Sequence, residues 1–258
     1  FGYWLLSEGF AVASINRKLA AVKAYANLAA AASVIDQTEI ALIRTVKGYG
    51  RKEARRIDAQ RADAAVPTRK SAKKAAPVKL TQGQAAALKA QPDTPQGRRD
   101  AVLMCLLLDH GLRVGEVAAL QVGDFDVRTG KFTFYRSKVD KVQTHKMTTD
   151  TLRALAVWLA IDALAIGPLL RGSRKGGALA AALTGAGMTA RSITDRVRTL
   201  GERIGIESLS AHDCRHYWAT YWASRVDLFR LQEAGGWNSL AMPRAYVEWA
   251  EIANQGMA

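Results

Sequence analysis

The run Ser210-Ala211-His212-Asp213-Cys214-Arg215-His216 packs a helix start and several basic side chains into one short stretch. Ser210 stands three residues before Asp213, and Tyr217-Trp218-Ala219 follows as an apolar run. In that spacing the serine hydroxyl caps the third backbone N–H while the carboxylate reaches back to the cap. The helix so begun carries His212 and Arg215 one turn apart on one face. Free N–H groups at a helix start favour an anion. The stretch therefore predicts a phosphate site or, failing that, a solvated basic face, and the rest of the chain decides between them.

The chain has 258 residues, enough for two modest domains with separate cores. Lys and Arg outnumber Asp and Glu by 37 to 23, a net charge of +14 with a pI near 10.0. Such an excess points to a polyanionic partner, either nucleic acid or an anionic membrane surface. A hydrophobic content of 49% argues against wholesale disorder. Cys105 and Cys214 are too few for a disulfide framework, so a reducing compartment is expected. The longest apolar run, Ala154 to Leu170, is interrupted by Asp162 and by Gly167-Pro168 and reads as a buried helix, not a membrane span. No secretory signal is visible, and a start at Phe1 without Met suggests a fragment or a processed chain, truncated at its N-terminus.

The N-terminal third reads as a small, basic, helical unit. Phe1 to Phe10 resembles the tail of a helix stopped at Gly9, with Phe1, Tyr3 and Trp4 turned to a core. Ser14 offers an N-cap to a helix whose apolar face is Ile15, Leu19, Val22 and Tyr25, opposite Arg17, Lys18 and Lys23. Another helix spans about Gln37 to Val46, and Gly48 and Gly50 stop it. From Arg51 to Lys74 basic residues alternate with Ala. Pro67 and Pro77 bracket Arg69-Lys70-Ser71-Ala72-Lys73-Lys74, an interdomain linker suited to tracking a phosphate backbone.

A second domain opens on Thr81 and Gln84, a capping box ahead of Ala85 to Leu88. Val102 to Leu108 predicts a buried helix closed by Gly111. Val122 to Phe125, Lys131 to Arg136 and Val142 to Met147 predict a small antiparallel sheet, with Phe132 and Phe134 alternating inward and Ser137 to Lys141 at a hairpin tip. Helices follow at about Thr151 to Ile166 and Ala190 to Ile204. The Gly-rich loop Arg171 to Gly177 between them lacks the spacing of a nucleotide-binding P-loop and reads as a backbone-contacting loop.

Arg113 precedes Glu116 by one turn, which suits either a simple ion pair or a carboxylate that holds a catalytic guanidinium in place. Gly235-Gly236-Trp237 ends one helix, and Pro243 and Tyr246 fall in the next, which Pro243 begins or bends. Four motifs in order, Gly111-Leu112-Arg113-Val114-Gly115-Glu116, His212 to His216, Gly236-Trp237, and Tyr246 nine residues beyond Trp237, resemble the tyrosine recombinase (phage integrase) family. Ser14 to Leu19 is similar to a helix of that family's core-binding domain, so the resemblance covers nearly the whole chain.

The resemblance implies a two-domain architecture, mainly α with a small antiparallel β-sheet. Residues 1–64 would be the helical core-binding domain, with Arg17 and Lys18 on DNA. Residues 65–78 would be a basic linker contacting DNA through Arg69, Lys70, Lys73 and Lys74, and 79–258 the catalytic domain. It further implies a site-specific recombinase or integrase, of the kind carried by mobile elements, that cuts and rejoins DNA through a 3′-phosphotyrosyl bond and a Holliday junction. Tyr246 would be the nucleophile. Arg113 and Arg215 would clamp the scissile phosphate, and Trp237 would donate from the position where many relatives carry His. His212 would accept the nucleophile's proton or serve as a further phosphate donor. Lys138 would protonate the leaving 5′ oxygen, with Lys141 the open alternative because the family's frequent Gly-Lys-Gly hairpin is absent. Glu116 would support Arg113. His216 has no assigned role.

No metal or other cofactor is implied. The expected partner is double-stranded DNA bearing a specific target site, bound by a homotetramer in a prokaryotic or phage-type cytoplasm, with no membrane. The chain ends a few residues after Trp249, leaving little tail for the exchange between subunits common in the family. Three rival readings stand beside this one. They are a type IB topoisomerase with similar chemistry, a catalytically silent DNA-binding regulator on the same fold, and a metal site at His212, Cys214 and His216. On a helix Cys214 points away from that His pair.

Overall fold

The computed structural model describes residues 1–65, 77–163, 165–173, 178–179 and 187–248. The chain divides into two compact units, Phe1–Ala76 and Pro77–Ala258. Among the described residues the secondary structure is mostly helical, with one three-stranded sheet, the mainly α architecture expected. No described helix is long and apolar enough to cross a membrane.

The first unit contains α1 (Gly2–Ser7), α2 (Val12–Ala31), α3 (Gln37–Thr45) and α4 (Arg51–Asp63). Leu5, Ile15 and Leu19 form its core, with Leu6, Phe10 and Tyr49 packed around them. Asn16 ties the chain after α3 back to α2: its Nδ2 donates to the Tyr49 carbonyl at 2.9 Å, and its Oδ1 accepts from the Tyr49 N–H at 2.9 Å.

Two expectations fail in this unit. Phe1, Tyr3 and Trp4 are exposed, and Leu5 alone of α1 is buried, because a helix this short turns only one side chain fully inward. Ser14 lies inside α2, whose N-cap is Ala11, and Val22 and Tyr25 are exposed. The buried face of α2 is Val12, Ile15, Leu19 and Ala26, so in its second half only a small side chain is covered. The basic stretch from Arg51 is helical up to Asp63, and Arg61 donates from Nη1 to the Phe10 carbonyl at 2.9 Å. Arg17 and Lys18 are exposed, with Lys18 over the Phe10 ring at 5.1 Å. Arg69, Lys70, Lys73 and Lys74 lie outside the described residues.

In the second unit α5 (Gln82–Lys89) begins at the Thr81–Gln84 capping box, and α6 (Pro95–Leu108) forms the centre. Thr94 caps α6 and Pro95 occupies its first turn, where a missing N–H costs nothing. Val102 to Leu108 are buried on every side, as befits a helix surrounded by α5, α8 and α10. Then follow α7 (Val114–Ala119), a 3-10 turn at Val122–Asp124, and strands β1 (Phe125–Asp126), β2 (Lys131–Arg136) and β3 (Lys141–Lys146). The strands are antiparallel in sequence order, with Phe132 opposite His145 and Phe134 opposite Gln143. Strand β2 turns Phe132, Phe134 and Arg136 inward and Lys131, Thr133 and Tyr135 outward.

Helix α8 (Thr149–Ile161) is shorter than expected, since Asp162 caps its C-terminus and binds Arg98 instead of continuing the turn. Beyond it lie α9 (Ala190–Arg203), α10 (Ala211–Ala223), α11 (Leu228–Gly235) and α12 (Ala241–Glu248). Of the Gly-rich loop, Arg171 to Ser173 are described. Arg171 donates to the Asp162 carbonyl at 2.7 Å, a structural bond within the unit. Arg174, Lys175, Gly176 and Gly177 lie outside the described residues.

Candidate active site

Helix α10 starts as its sequence dictates. The Ser210 hydroxyl accepts from the Asp213 N–H at 3.3 Å, and Asp213 Oδ2 accepts from the Ser210 N–H at 2.8 Å. Asp213 Oδ1 also accepts from the Val78 N–H at 2.9 Å, fastening the start of the second unit to this helix. Four buried or half-buried groups on α10 and its neighbours, Arg113, Arg215, Trp237 and Tyr246, then meet at the end of α11.

That end is a tight corner. Gly236 adopts the left-handed conformation, φ 58° and ψ 56°, and its N–H closes the helix on carbonyls of the preceding turn. The last carbonyls of a helix have no partner within it and carry the negative end of its dipole. Here three successive ones each receive a guanidinium. Arg136 Nη2 donates to the Ala234 carbonyl at 2.8 Å, Arg215 Nη2 to Gly235 at 2.6 Å, and Arg113 Nη2 to Gly236 at 3.3 Å.

Arg215 is held from a second side by the Gly111 carbonyl, to which its Nη1 donates. Gly111 has φ +60°, and a side chain there would run into the Trp218 ring, so only glycine allows this approach. The Arg215 guanidinium also lies 4.7 Å from the Trp237 ring centre, in cation–π range. Burial, reinforced by the charges of Arg113 and Arg136, pushes Arg215 down to about 9, so it remains a cation at neutral pH. A buried cation of this kind gains from an anion placed beside it.

Arg113 is the N-cap of α7, and Glu116 answers it twice. Glu116 Oε2 accepts from the Arg113 backbone N–H at 2.8 Å and Oε1 from Arg113 Nη1 at 2.8 Å. The same carboxylate accepts from Arg136 Nη1 at 3.1 and 2.9 Å. Arg136, which sequence reasoning missed, is 0% exposed. Its signal was present: β2 alternates inward Phe132 and Phe134, and the next inward position is an arginine, which burial allows only with a carboxylate at hand.

Tyr246 is 1% exposed and packs with Trp218, Ala219 and Leu231. Its ring centre is 5.6 Å from that of Trp237 and 5.3 Å from that of His216. Burial raises the phenol above its ordinary pKa, while Arg215 and Arg113 pull in the opposite direction. His212 is exposed and meets His216 edge-on at 4.5 Å. His216 therefore stands between His212 and Tyr246. Burial and the neighbouring His212 lower it to about 4, so it is neutral at physiological pH. Cys214 is buried in the core on another side of α10 from exposed His212.

Lys138 is apart from this cluster. It is exposed on the turn between β2 and β3 and makes no ion pair with a described residue. Lys141, the alternative, binds Glu233 Oε1 at 2.5 Å. Arg113, Glu116, Arg215, Trp237 and Tyr246 are thus brought together, His212 adjoins them through His216, and the hairpin lysines stand outside.

The phage integrase family matches residues 79–251. Tyrosine recombinase XerD of Neisseria meningitidis serogroup B is 30% identical over 184 residues, 70% of this chain and 62% of the relative. Tyrosine recombinase XerC of Herpetosiphon aurantiacus is 31% identical over 155 residues, covering 59% and 48%. The chain thus spans less than two thirds of the length of these relatives. Among solved structures, the XerA recombinase superposes with a TM-score of 0.55 at 20% identity, over 92% of this chain and 79% of that one. The Tn1549 transposon integrase in complex with a circular intermediate DNA gives 0.61 at 17% identity, over 100% and 83%. These structures share the fold, and the sequence match runs through the unit that carries the arginine corner and Tyr246: the chain belongs to the phage integrase family.

Proposed function

We propose that the protein is a site-specific DNA recombinase that breaks and rejoins strands through Tyr246. The observation that carries this reading is the packing of a phenol against a corner where Arg113 and Arg215 already sit. A scissile phosphate bound there would take charge-assisted bonds from both guanidinium groups, and their charge would stabilise the pentavalent transition state. Tyr246 Oη attacks phosphorus, its proton passing to His212. The 3′-phosphotyrosyl bond forms as the bond to the 5′ oxygen breaks, and Lys138 donates the proton that oxygen needs. Trp237 contributes an indole N–H to the same phosphate. The phosphodiester energy is kept in the covalent link, so a 5′-hydroxyl from another strand reseals it. Two such rounds exchange strands through a four-way junction on a homotetramer.

In this reading residues 1–64 bind DNA with Arg17 and Lys18, and the segment 65–78 follows the backbone. Tyr246 is 1% exposed, so its attack on a phosphate requires a shift of α12 that uncovers the phenol.

The test is a pool of nicked duplexes with a randomised core, incubated with the protein and separated under denaturing conditions. Wild type should yield a covalent protein–DNA adduct, and Tyr246→Phe none. An adduct in the variant, or none in wild type, refutes the assignment. DNA binding without any adduct would favour a silent regulator. Relaxation of supercoils without strand exchange at paired sites would favour a topoisomerase.

A further inference from the structure

We propose that Arg136 is a positioning residue for DNA cleavage, one that sets the charge and the aim of Arg113 without touching DNA. The inference rests on the recombinase reading above.

The Glu116 carboxylate lies between the Arg113 and Arg136 guanidinium groups. If Arg113 were its only cationic partner, the pair would be neutral and Arg113 would have little attraction left for a phosphate. Instead the carboxylate is shared: Oε1 and Oε2 both accept from Arg136 Nη1 while Oε1 also holds Arg113 Nη1. The three groups together carry one surplus positive charge. Arg136 is 0% exposed and cannot spend that charge on DNA, whereas the Arg113 side chain is 23% exposed. The surplus is therefore presented through Arg113.

Arg136 also fixes the floor under the site. Its Nη2 donates to the Ala234 carbonyl and its Nε to Gln143 Oε1. Gln143 Nε2 in turn donates to the Glu233 carbonyl. The side chain runs directly beneath Gly236, where an added methyl group would meet its Cδ at 2.5 Å. One guanidinium thus braces α7 through Glu116, β3 through Gln143 and the end of α11 through Ala234. A lysine offers a single ammonium and cannot span these partners.

The experiment compares wild type, Arg136→Met and the exchange Arg136→Gln with Gln143→Arg. The exchange works because the two side chains already touch on the buried face of β2 and β3, so it returns a guanidinium to the same pocket from the facing strand. Wild type is assayed first on the nicked pool. If it forms no adduct, the recombinase reading falls and this inference falls with it. With adduct formation established, Arg136→Met should bind the recovered duplex as wild type does in a gel shift. Its single-turnover cleavage should fall about 100-fold, the scale of a misaimed catalytic group. The exchange should restore most of the lost rate. Arg136→Met cleaving at the wild-type rate would overturn the inference while leaving the recombinase reading intact. So would an exchange variant with the wild-type melting temperature that fails to recover cleavage. If Arg136→Met does not fold, the exchange variant alone decides.

Discussion

The Gly236 corner makes a quantitative demand that can be tested without DNA. Replacing Gly236 by Ala places a non-glycine residue at φ 58°, which costs about 1–2 kcal/mol. The added Cβ would also lie 2.5 Å from Arg136 Cδ and 2.7 Å from its Nε. Because Arg136 is pinned by Glu116, Gln143 and Ala234, it cannot swing aside, and overpacking of this kind adds about 1–3 kcal/mol. The total is about 2–5 kcal/mol, a large part of the roughly 5–15 kcal/mol that keeps a domain folded. For a unit of this size the melting temperature should drop by about 4–20 °C, at roughly 2–4 °C per kcal/mol.

Thermal unfolding followed by circular dichroism reads this directly. Gly115→Ala serves as the control, since an added Cβ there meets nothing within 4 Å and the position is helical. That variant should be unchanged or gain up to about 1 kcal/mol. A double-mutant cycle separates the two costs. In an Arg136→Met background Gly236→Ala should lose the steric part and retain the backbone part, a coupling of about 0.5–3 kcal/mol. A Gly236→Ala protein melting within about 2 °C of wild type would refute the reasoning, because even the smaller cost exceeds that shift.

Two further outcomes follow from the site. Lys138→Ala should slow cleavage by about 100-fold or more, with the rate recovered on a substrate whose leaving group is a 5′-thiolate, which needs no proton. Lys141→Ala should cleave normally and lose at most about 1 kcal/mol, its Glu233 pair being exposed; the reverse pattern would make Lys141 the acid. Stability should also fall in acid. Burial lowers His110 to about 4 and His145 to about 3, and His216 is likewise held near 4. Between these values and the ordinary 6.5 the unfolded chain binds more protons than the folded one, so stability is full above 6.5 and declines as pH falls toward 4. His110 alone accounts for up to about 3 kcal/mol of that loss. Urea titrations at pH 7, 5.5 and 4.5 measure it, and a flat profile would count against the buried neutral histidines.

Local signals in the sequence carry much of this architecture. The Thr81 and Ser210 caps, the inward Phe132 and Phe134, and the apolar run of α6 each depend on neighbours within a turn or a strand, and each appears where expected. The first helix misleads because aromatic content reports the size of a side chain and not which way a six-residue helix faces. Ser14 misleads because the N-cap preference of serine is worth only about 1 kcal/mol, and a serine is also tolerated within the first turn of a helix. Within the site, Arg113, Glu116, Arg215, Trp237 and Tyr246 are legible through motif and resemblance. The burial of Arg136 and the packing of His216 on Tyr246 are not, since both depend on partners 20 or more residues away, such as Glu116 and Tyr246. An arginine at an inward strand position is ambiguous until the carboxylate that meets it is known.

The three carbonyls at the end of α11 also limit which changes of length the chain can absorb. Successive carbonyls of a helix sit about 100° apart around its axis and about 1.5 Å apart along it. Arg136 and Arg215 arrive from β2 and α10 and meet the oxygens of Ala234 and Gly235 in that spiral, while Arg113, from the start of α7, meets the Gly236 oxygen at the left-handed corner that closes it. One residue inserted or deleted between Leu228 and Gly235 would turn the oxygens past all three donors at once, whatever residue it was. Substitutions along the outer face of α11 change one contact each, whereas a shift in register dismantles the set. This helix works as a measured spacer, and its count of residues is held more tightly than its composition.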